Sequence, residues 1–351
     1  MRDDPNSPAK PKLTDVARVA EVSVATASNV FAHPERVRPA MRERVEAAAR
    51  SLGYLGPDPT ARLMRAGKVN AIGVIPPGNW GVYDTLRNPV YQQFLLGVAQ
   101  ACDEAGVNLL VSSDLHRPGA ASAVVDGFIF ARVEHMGDIE PARLRRLPFV
   151  VMDSDPGPEV NSVRVDARGG SIAAARHLLE LGHRRFAVMS FLRDFGPPRF
   201  YPPGRSRPAD AAGMEIDQEK LLGYAEALAE AGIAIDDVPM VQAHPWERDA
   251  ARLILDVAPE ATAILSMSAM QAIAVMDEAR LRGRIVPRDL SVIGYNDIPE
   301  AARANPPLTT VDGINTEKGR VAGRLLLEPG PIRREVLPTR LIVRGSTAPP
   351  P

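Results

Sequence analysis

Five polar side chains near the N-terminus have types and spacing suited to contacting a nucleic acid. They are four hydroxyl residues and one amide, set among small apolar residues: Thr14, Ser23, Thr26, Ser28 and Asn29. Hydroxyl groups hydrogen-bond to phosphate oxygens, and an amide can pair with the edge of a base. These residues therefore point to reversible binding of a polyanion.

The other chemistry-bearing residues form no recognisable catalytic or metal-binding motif. The sequence contains no Gly-x-Ser-x-Gly, no P-loop and no Gly-x-Gly-x-x-Gly. His177 and His183 flank a predicted helix end at a spacing that does not suit a zinc site. Cys102, the only cysteine, falls on a helix face and is expected to pack in the core. We therefore predict no enzymatic activity, no cofactor and no metal.

Length and composition permit more than one folded unit. With 351 residues, 45% of them hydrophobic, the chain can form two or three cores. It has no run of about 18 apolar residues, and its first twelve residues lack the apolar segment of a secretory signal. A single cysteine also excludes an internal disulfide framework. We therefore expect a cytoplasmic location.

Charge is distributed unevenly along the chain. The segment from Lys10 to Lys68 has eleven Lys or Arg and six Asp or Glu, a net charge of +5, whereas the whole chain has a net charge of −1. A basic segment on an acidic body favours a polyanionic partner for that segment, although an ordinary solvated surface would look the same.

Three short helices are the elements that would position the N-terminal polar residues. The periodicity predicts helices over Thr14–Ala20, Ser23–Phe31 and Pro39–Leu52, with Thr14 and Ser23 as N-caps. Small apolar residues suit the crossing of the first two helices: Ala17, Val22, Ala27 and Val30. This arrangement favours a helix-turn-helix, whose second helix enters the major groove of DNA. A purely structural three-helix domain is the alternative.

From residue 69 onward, strands alternate with helices. Ten segments are predicted strands: Asn70–Ile75, Asn108–Ser112, Val124–Phe130, Pro148–Met152, Ser162–Asp166, Arg185–Ser190, Val238–Ala243, Thr262–Ser266, Leu290–Tyr295 and Thr309–Asp312. The alternation indicates parallel, doubly wound sheets, and ten strands fit two sheets better than one. Residues 193–215 are predicted to form an irregular insertion, and the C-terminal STAPPP is expected to fray.

The segment Leu13–Tyr54 and the residues after it resemble the headpiece of the LacI/GalR (lactose-repressor) family. The motifs VSVATASNV, ARSLGY and GPDPTARLMRAG occur in that family's order, and NAIGVI, VDGFIF, LPFVVMDSD and VIGYNDIPEAARANPPLTTV match its body. The resemblance covers residues 13–349. It implies an α/β protein with an N-terminal all-α helix-turn-helix headpiece and a two-subdomain, periplasmic-binding-protein-like, doubly wound α/β sensor domain.

The resemblance also implies a set of domain boundaries. We expect a disordered N-terminus, a headpiece, a hinge helix or linker, an effector-binding domain and a tail, at residues 1–11, 12–57, 58–68, 69–345 and 346–351. Within the effector-binding domain, subdomain one is expected at about 69–165 and 298–327, and subdomain two at about 166–297 and 328–345.

By the same resemblance, the headpiece residues divide into two roles. Val24, Ala25 and Asn29 fall at base-reading positions, where apolar side chains can contact thymine methyls and an amide can read adenine. Phosphate-positioning roles fall to the hydroxyl residues Thr14, Ser23, Thr26 and Ser28. Two residues depart from the family pattern, since Glu21 replaces the usual turn glycine and Ala32 replaces a common asparagine.

The connector Asp58–Arg65 resembles the family's hinge helix, which folds when two copies meet in the minor groove. Met64 falls at the position of the apolar wedge, which unstacks a base step at a cost on the order of a few kcal/mol. Arg62 and Arg65 are placed to bind phosphates. A flexible linker is the alternative interpretation.

The resemblance places an effector in the cleft between the subdomains, near the carboxyl ends of strands. Its candidate residues are Tyr83, Asp84, Asp153, Trp246, Ser268, Asn296 and Asp297. Two departures weaken a standard sugar site: Ser268–Ala269 stands where many members have a pair ending in Asp, and Asn296–Asp297 where many have two Asp. A sugar or related metabolite is the default by family analogy, and the ligand class stays open.

These features together predict a dimeric repressor that binds a palindromic operator in double-stranded DNA and responds to a small-molecule effector. Because no C-terminal heptad helix follows Leu341–Val343, a homodimer is favoured over a tetramer. Two alternatives are a transport-type sugar-binding protein that shares only the sensor fold, and an enzyme on a doubly wound scaffold. The basic headpiece argues against the first, and the missing catalytic motif against the second.

Overall fold

The chain divides into two units, Met1–Val69 and Asn70–Pro351. The computed structural model describes residues 11–56, 68–77, 81–112, 124–131, 133, 136–192, 196–204, 207 and 215–351. Predictions for residues 1–10 and for most of the connector, including Arg62, Met64 and Arg65, lie outside the described residues.

The described residues of the N-terminal unit form three α-helices, α1 (Leu13–Val19), α2 (Val24–Ala32) and α3 (Pro39–Leu52), with a 3-10 turn at Pro34–Arg36. One face of each helix is buried in a shared core, formed by Val16, Ala17, Ala20, Ala27, Val30, Val45, Ala48 and Ala49. Short helices such as these are stabilised mainly by packing, which explains why the small apolar residues recur at helical spacing.

The prediction for the start of α1 was wrong, whereas that for α2 is confirmed. The N-cap of α1 is Lys12, and Thr14 lies within the helix. The carboxylate of Asp15 accepts a hydrogen bond of 2.9 Å from the Lys12 backbone N–H, which starts the helix earlier. Ser23 caps α2 as predicted, since its Oγ accepts a 3.0 Å hydrogen bond from the backbone N–H of Thr26.

Where the structure describes it, the larger unit contains thirteen strands and nine α-helices. In chain order the strands are β1 (Ala71–Ile75), β2 (Asn108–Val111), β3 (Gly127–Phe130), β4 (Phe149–Met152), β5 (Asn161–Val165), β6 (Phe186–Phe191), β7 (Arg199–Tyr201), β8 (Met240–Ala243), β9 (Ala263–Ser266), β10 (Ser291–Tyr295), β11 (Thr309–Asp312), β12 (Arg334–Leu337) and β13 (Arg340–Ile342). The α-helices are α4 (Val82–Arg87), α5 (Pro89–Ala105), α6 (Glu140–Leu144), α7 (Ala167–Glu180), α8 (Glu215–Glu230), α9 (Asp249–Val257), α10 (Ala269–Leu281), α11 (Pro299–Arg303) and α12 (Asn315–Leu327). Short 3-10 helices span Met136–Ile139 and Ile235–Asp237.

The strands form two sheets, as predicted. The first sheet has the order β12-β5-β4-β3-β1-β2, and all of its pairings are parallel. The second has the order β13-β11-β10-β9-β6-β8-β7, and only its two edge strands pair antiparallel. Helices α7 and α8 pack on one face of the second sheet, and α9 and α10 on the other. This is a doubly wound arrangement.

Helices α5 and α12 pack closely against each other on the first sheet. A Cβ atom at Gly97 would lie 1.8 Å from the carbonyl oxygen of Thr316, and one at Gly319 would lie 2.0 Å from that of Phe94. Because only glycine permits this approach, the backbones fix α12 on the first subdomain. We define the first subdomain as the first sheet with α4, α5, α6 and α12, and the second as the second sheet with α7 to α11.

The predicted boundary between subdomains was wrong in two places. Strand β11 and helix α11 belong to the second subdomain, although residues 298–327 were assigned to the first. Strand β12 pairs with β5 of the first, although residues 328–345 were assigned to the second. Within the described residues the chain crosses between the sheets after β5, β11 and β12, so the two late crossings follow Asp312 and Leu337 rather than residues 297 and 327.

Two further predictions need correction. The insertion at residues 193–215 contains β7, an edge strand that pairs antiparallel with β8. The C-terminal segment does not fray, because Ser346 is buried and its hydroxyl donates to the carbonyl of Val292 at 2.6 Å. The Nε2 of His183 also lies 2.8 Å from the carbonyl oxygen of Ala348, within hydrogen-bond distance. No helix among the described residues is long and apolar enough to cross a membrane.

Candidate nucleic-acid interface and ligand site

The turn between α1 and α2 is held by an unusual residue. Glu21 has a φ of +49°, a left-handed conformation that favours glycine and costs another residue about 1–2 kcal/mol. The side chain of Arg44 on α3 donates a 2.9 Å hydrogen bond to the Glu21 carbonyl oxygen. A contact from the third helix therefore stabilises the turn that the family usually builds with glycine.

Helix α2 buries one face and leaves the predicted base-reading face open. Ala27 and Val30 are buried, whereas Val24, Ala25 and Asn29 are exposed. Val24 is 47% exposed, a large fraction for a branched apolar side chain. Val24 and Ala25 therefore lie accessible in the first turn of the helix, and Asn29 lies accessible one turn after Ala25.

The predicted phosphate-binding hydroxyls lie beside this surface. Ser23 and Thr14 are exposed, and Thr26 and Ser28 are half-buried. The hydroxyls of Ser23 and Thr26 are 2.8 Å apart and share a hydrogen bond. Ser23 is thus engaged as a helix cap while its side chain stays accessible.

A small cavity, about 60 Å³, lies between the two subdomains. Its walls include residues within two positions of the carboxyl ends of strands in both sheets, namely Ala131, Asp153, Ser268 and Asn296. The carboxyl ends of parallel strands are where doubly wound sheets bind ligands. Of the predicted effector residues, Asp153, Ser268 and Asn296 line this cavity.

The other predicted effector residues lie elsewhere. Asp297 does not line the cavity, because both of its carboxylate oxygens pair with Arg344 at 2.7 and 2.8 Å. Tyr83, Asp84 and Trp246 surround a different side chain, that of Arg87, and are likewise absent from the cavity wall.

The Arg87 cluster links α4 of the first subdomain to the segment after β8 of the second. The Arg87 guanidinium carbon lies 3.5 Å from the centroid of a Trp246 ring and 5.5 Å from that of Tyr83. Its Nε lies 3.5 Å from a carboxylate oxygen of Asp84. Burial, followed by the positive charge of Arg87, lowers the pKa of the adjacent His244 to about 4.

Two ion pairs in the cavity wall, one buried and one partly buried, were not predicted. Lys318 on α12 lies 2.7 Å from the Oδ2 of Asp153 in the first subdomain. Lys220 on α8 lies 3.1 Å from the Oδ1 of Asp217 in the second. Asn315 on α12 also lines the cavity. Asp217 and Lys220 are three residues apart, the spacing of an ordinary solvent-facing pair on a helix. Only the packing of α8 shows that this pair is buried.

Aromatic rings complete the wall around Lys220. Its Nζ lies 4.5 Å from the ring centroid of Tyr295 and 5.8 Å from that of Phe191, within the range of cation–π attraction. Burial raises the pKa of Tyr295 well above its ordinary value, so its phenol stays neutral. The cavity therefore combines two compensated charge pairs with aromatic and amide groups.

A helical unit with an exposed second helix, together with a two-sheet unit that has a cavity between its subdomains, is typical of the class of ligand-responsive helix-turn-helix regulators. Residues 12–56 match the model of bacterial regulatory proteins of the lacI family, and residues 175–347 match a periplasmic binding protein-like domain. An HTH-type transcriptional regulator of Mycolicibacterium smegmatis is 33% identical, with 100% of both chains covered. The chain belongs to the lacI family of bacterial transcriptional regulators.

Solved structures agree with this assignment. The structure titled transcriptional regulator CelR–cellobiose complex is 30% identical, with a TM-score of 0.65 over 96% of this chain and 99% of that one. The Lac repressor dimer bound to operator and the anti-inducer ONPF is 23% identical, with a TM-score of 0.72 over 96% and 99%. The latter shows the shared fold alone. The predicted family, fold class and regulatory function are confirmed.

Proposed function

We propose that this protein is a repressor that binds a palindromic operator as a homodimer. A small molecule in the inter-subdomain cavity then either weakens or strengthens its affinity for the operator. The observation that carries the proposal is the open face of α2, where Val24, Ala25 and Asn29 lie exposed beside the Ser23 cap. An accessible face on the second helix of a helix-turn-helix is what insertion of that helix into the major groove requires.

In the proposed complex, α2 lies in the major groove. The methyl groups of Val24 and Ala25 contact thymine methyls, and the amide of Asn29 pairs with an adenine edge. The hydroxyls of Thr14, Ser23, Thr26 and Ser28 contact phosphates and fix the register. Arg62 and Arg65 add phosphate contacts from the hinge, and Met64 wedges into the central base step.

A dimer follows from the symmetry of the proposed target. Two copies related by a two-fold axis place two recognition helices about one helical turn of DNA apart, and the half-sites then form a palindrome. The C-terminal segment from Ser346 to Ala348 is hydrogen-bonded to the second subdomain and is not part of a helix.

Effector control would act through the contacts that join the subdomains. The Gln93 side chain donates a 2.9 Å hydrogen bond to the carbonyl oxygen of Asp297 across the cleft. Arg164 on β5 of the first subdomain donates a 3.2 Å hydrogen bond to a carboxylate oxygen of Glu215 on α8 of the second. A ligand that changes the subdomain angle must alter such contacts, and couplings of this kind are roughly 1–3 kcal/mol.

We further propose that the protein has no catalytic activity or cofactor and that it acts in the cytoplasm on nucleoid DNA. The relatives are named as transcriptional regulators, and the cavity's acidic residues are each neutralised by a lysine. Neither carboxylate is therefore placed as a free general base.

Selection from a random duplex library with the full-length protein tests the proposed function. We expect enrichment of a palindrome whose half-sites contain thymine and adenine at the positions facing α2. A protein with Asn29→Ala should enrich the same palindrome with one relaxed position in each half-site. Failure of the full-length protein to enrich any sequence, with or without metabolites, would refute the proposal.

A further inference from the structure

We infer that Arg44 is a positioning residue for DNA recognition, and that it acts through the turn at Glu21 rather than by contacting DNA. The inference rests on the proposed function, in which α2 enters the major groove, and deepens it by identifying what sets the direction of that helix. Its basis is a strained backbone residue and the side chain that holds it.

The turn after α1 is a Schellman motif, a hydrogen-bonded helix ending that usually has glycine at its left-handed position. The backbone N–H of Val22 donates to the carbonyl oxygen of Ala17 at 3.0 Å, and that of Glu21 donates to the carbonyl oxygen of Arg18 at 3.2 Å. Glu21 occupies the left-handed position, with a φ of +49°. Because a Cβ atom is unfavourable in this conformation, the motif needs stabilisation from elsewhere.

Arg44 supplies that stabilisation from α3. Its Nη2 donates a 2.9 Å hydrogen bond to the carbonyl oxygen of Glu21. The next residue, Val45, is buried in the core that the three helices share, so the backbone of Arg44 is fixed relative to α1 and α2. The guanidinium is a charged donor, which strengthens the hydrogen bond, and it places a cation next to the C-terminal end of α1, where the helix dipole favours positive charge.

The turn connects α1 directly to the helix proposed to read the operator. Helix α1 ends at Val19 and α2 begins at Val24, so the backbone angles of the few residues between them determine where α2 starts. Val24 and Ala25, two of the proposed base-reading residues, directly follow the Ser23 cap. If Glu21 leaves the left-handed region, the start of α2 shifts. Contacts with base edges, which need placement to within about 0.5 Å, are then lost.

Direct contact with a DNA phosphate is the alternative role, since Arg44 is exposed and positively charged. The two roles differ in two measurable respects. A residue that acts through the turn loses its importance when Glu21 is replaced by glycine, whereas a phosphate contact keeps its importance. Loss of a phosphate contact also reduces the salt slope of binding by about one, whereas loss of the turn contact leaves the slope unchanged.

A double-mutant cycle on the full-length protein separates the two roles. Fluorescence anisotropy measures the affinity for the selected palindrome over a series of salt concentrations. Arg44→Met has no donor at the end of its side chain, and it should weaken binding about fivefold with an unchanged salt slope. The same change in a Glu21→Gly background should weaken binding by no more than about twofold. Equal losses in the two backgrounds, or a reduced salt slope, would overturn the inference.

Three control variants assign the effect to the turn. Glu21→Gln removes the charge but keeps the Cβ atom, so Arg44→Met should still cost about fivefold in this background. Arg44→Lys keeps a charged donor and should retain most of the wild-type affinity. Arg50→Met removes a positive charge from another exposed position on α3, and it should change the affinity by less than about twofold. If Arg50→Met loses as much affinity as Arg44→Met, net charge explains the effect and the inference is wrong.

Hydrogen exchange of the DNA-free protein, followed by mass spectrometry, tests the turn independently of the proposed function. In Arg44→Met, exchange should be about fivefold faster in peptides that contain the Glu21 and Val22 amides, while α3 keeps its wild-type protection. Unchanged exchange at the turn would refute the role of Arg44. If the wild-type protein selects no palindrome, the proposed function fails, and exchange at the turn still decides whether Arg44 holds it.

The double variant Arg44→Met, Glu21→Gly covers the event that Arg44→Met unfolds the N-terminal unit, which fast exchange throughout α2 and α3 would reveal. Because glycine removes the strain at the turn, the double variant should regain wild-type protection in all three helices and an affinity for the palindrome within about twofold of wild type. A double variant that stays unfolded, or that folds and still binds about fivefold more weakly, would contradict the inference.

Discussion

The Arg87 guanidinium carbon lies 3.5 Å from the centroid of a Trp246 ring, and this contact joins α4 of the first subdomain to the segment after β8 of the second. Sequence comparison with the family assigns Trp246 to stacking on a ligand. In this structure the face of the indole is covered by a side chain of the protein itself. The pair therefore holds the two subdomains together at a point outside the cavity.

Arg87→Ala should weaken the contact between the two subdomains and expose Trp246. The change removes a cation–π contact worth about 0.5–2 kcal/mol, so the free energy of unfolding should fall by a similar amount. When Arg87→Ala is made in a Trp80→Phe background, where Trp246 is the only tryptophan, the fluorescence emission of Trp246 should shift to longer wavelength. Arg87→Lys keeps the charge and should shift it less. An unchanged emission maximum in Arg87→Ala would show that the contact is not formed in solution.

His244 should make the protein less stable in mild acid. Burial, reinforced by the nearby Arg87, lowers the pKa of folded His244 to about 4 from an ordinary value of about 6.5. Between these values the unfolded chain binds the proton more readily, so stability is full above about pH 6.5 and is lost as the pH falls toward 4.

Urea unfolding at pH 7 and pH 5 measures this effect. His244→Gln should lose less stability between the two pH values than the wild-type protein does. His33→Gln, at an exposed position in the N-terminal unit, should leave the wild-type pH dependence intact. Identical pH dependence in His244→Gln and the wild-type protein would show that His244 does not titrate as described.

Ser23→Ala should destabilise the N-terminal unit by about 1 kcal/mol, because the helix loses its N-cap hydrogen bond. Thr14→Ala should cost much less, since Thr14 lies within α1 and the cap is Lys12. Differential scanning calorimetry of the full-length variants would compare the two. Equal losses would contradict the assignment of the caps.

Asn29→Ala should relax one base preference in each half-site and weaken binding to the selected site by about 1–3 kcal/mol. Binding to random duplex should change little, because the amide is proposed to contact a base rather than a phosphate. Fluorescence anisotropy with both duplexes measures the two affinities. An equal fractional loss of affinity for both duplexes would indicate that Asn29 contacts the DNA backbone rather than a base.

Local signals predicted the elements that carry most of the fold. The Ser23 cap of α2 and the ten predicted strands are all present, with shifts of a few residues at the strand ends. These features depend on capping, periodicity and apolar runs, which are properties of short segments. The additional strands β7, β12 and β13 lie at sheet edges, where polar and partly exposed residues hide the pattern.

The cavity was harder to predict, because its residues come from distant segments. Asp153, Ser268 and Asn296 follow strands, and position alone indicated them. Asp217 and Lys220 lie on a helix and have the spacing of an exposed pair, so nothing local distinguishes them from surface residues. Asp297 follows a strand as well, yet Arg344 holds it away from the cavity. Such pairings depend on which helix packs between which strands.

The most direct test of the central claim compares the affinity of the full-length protein for its selected palindrome with that for a scrambled duplex of equal length and composition. The measurement should be made by anisotropy at physiological salt, with the salt concentration fixed for both duplexes. The account predicts at least about a thousandfold preference for the palindrome, typical of specific recognition. Equal affinity for the two duplexes would contradict it.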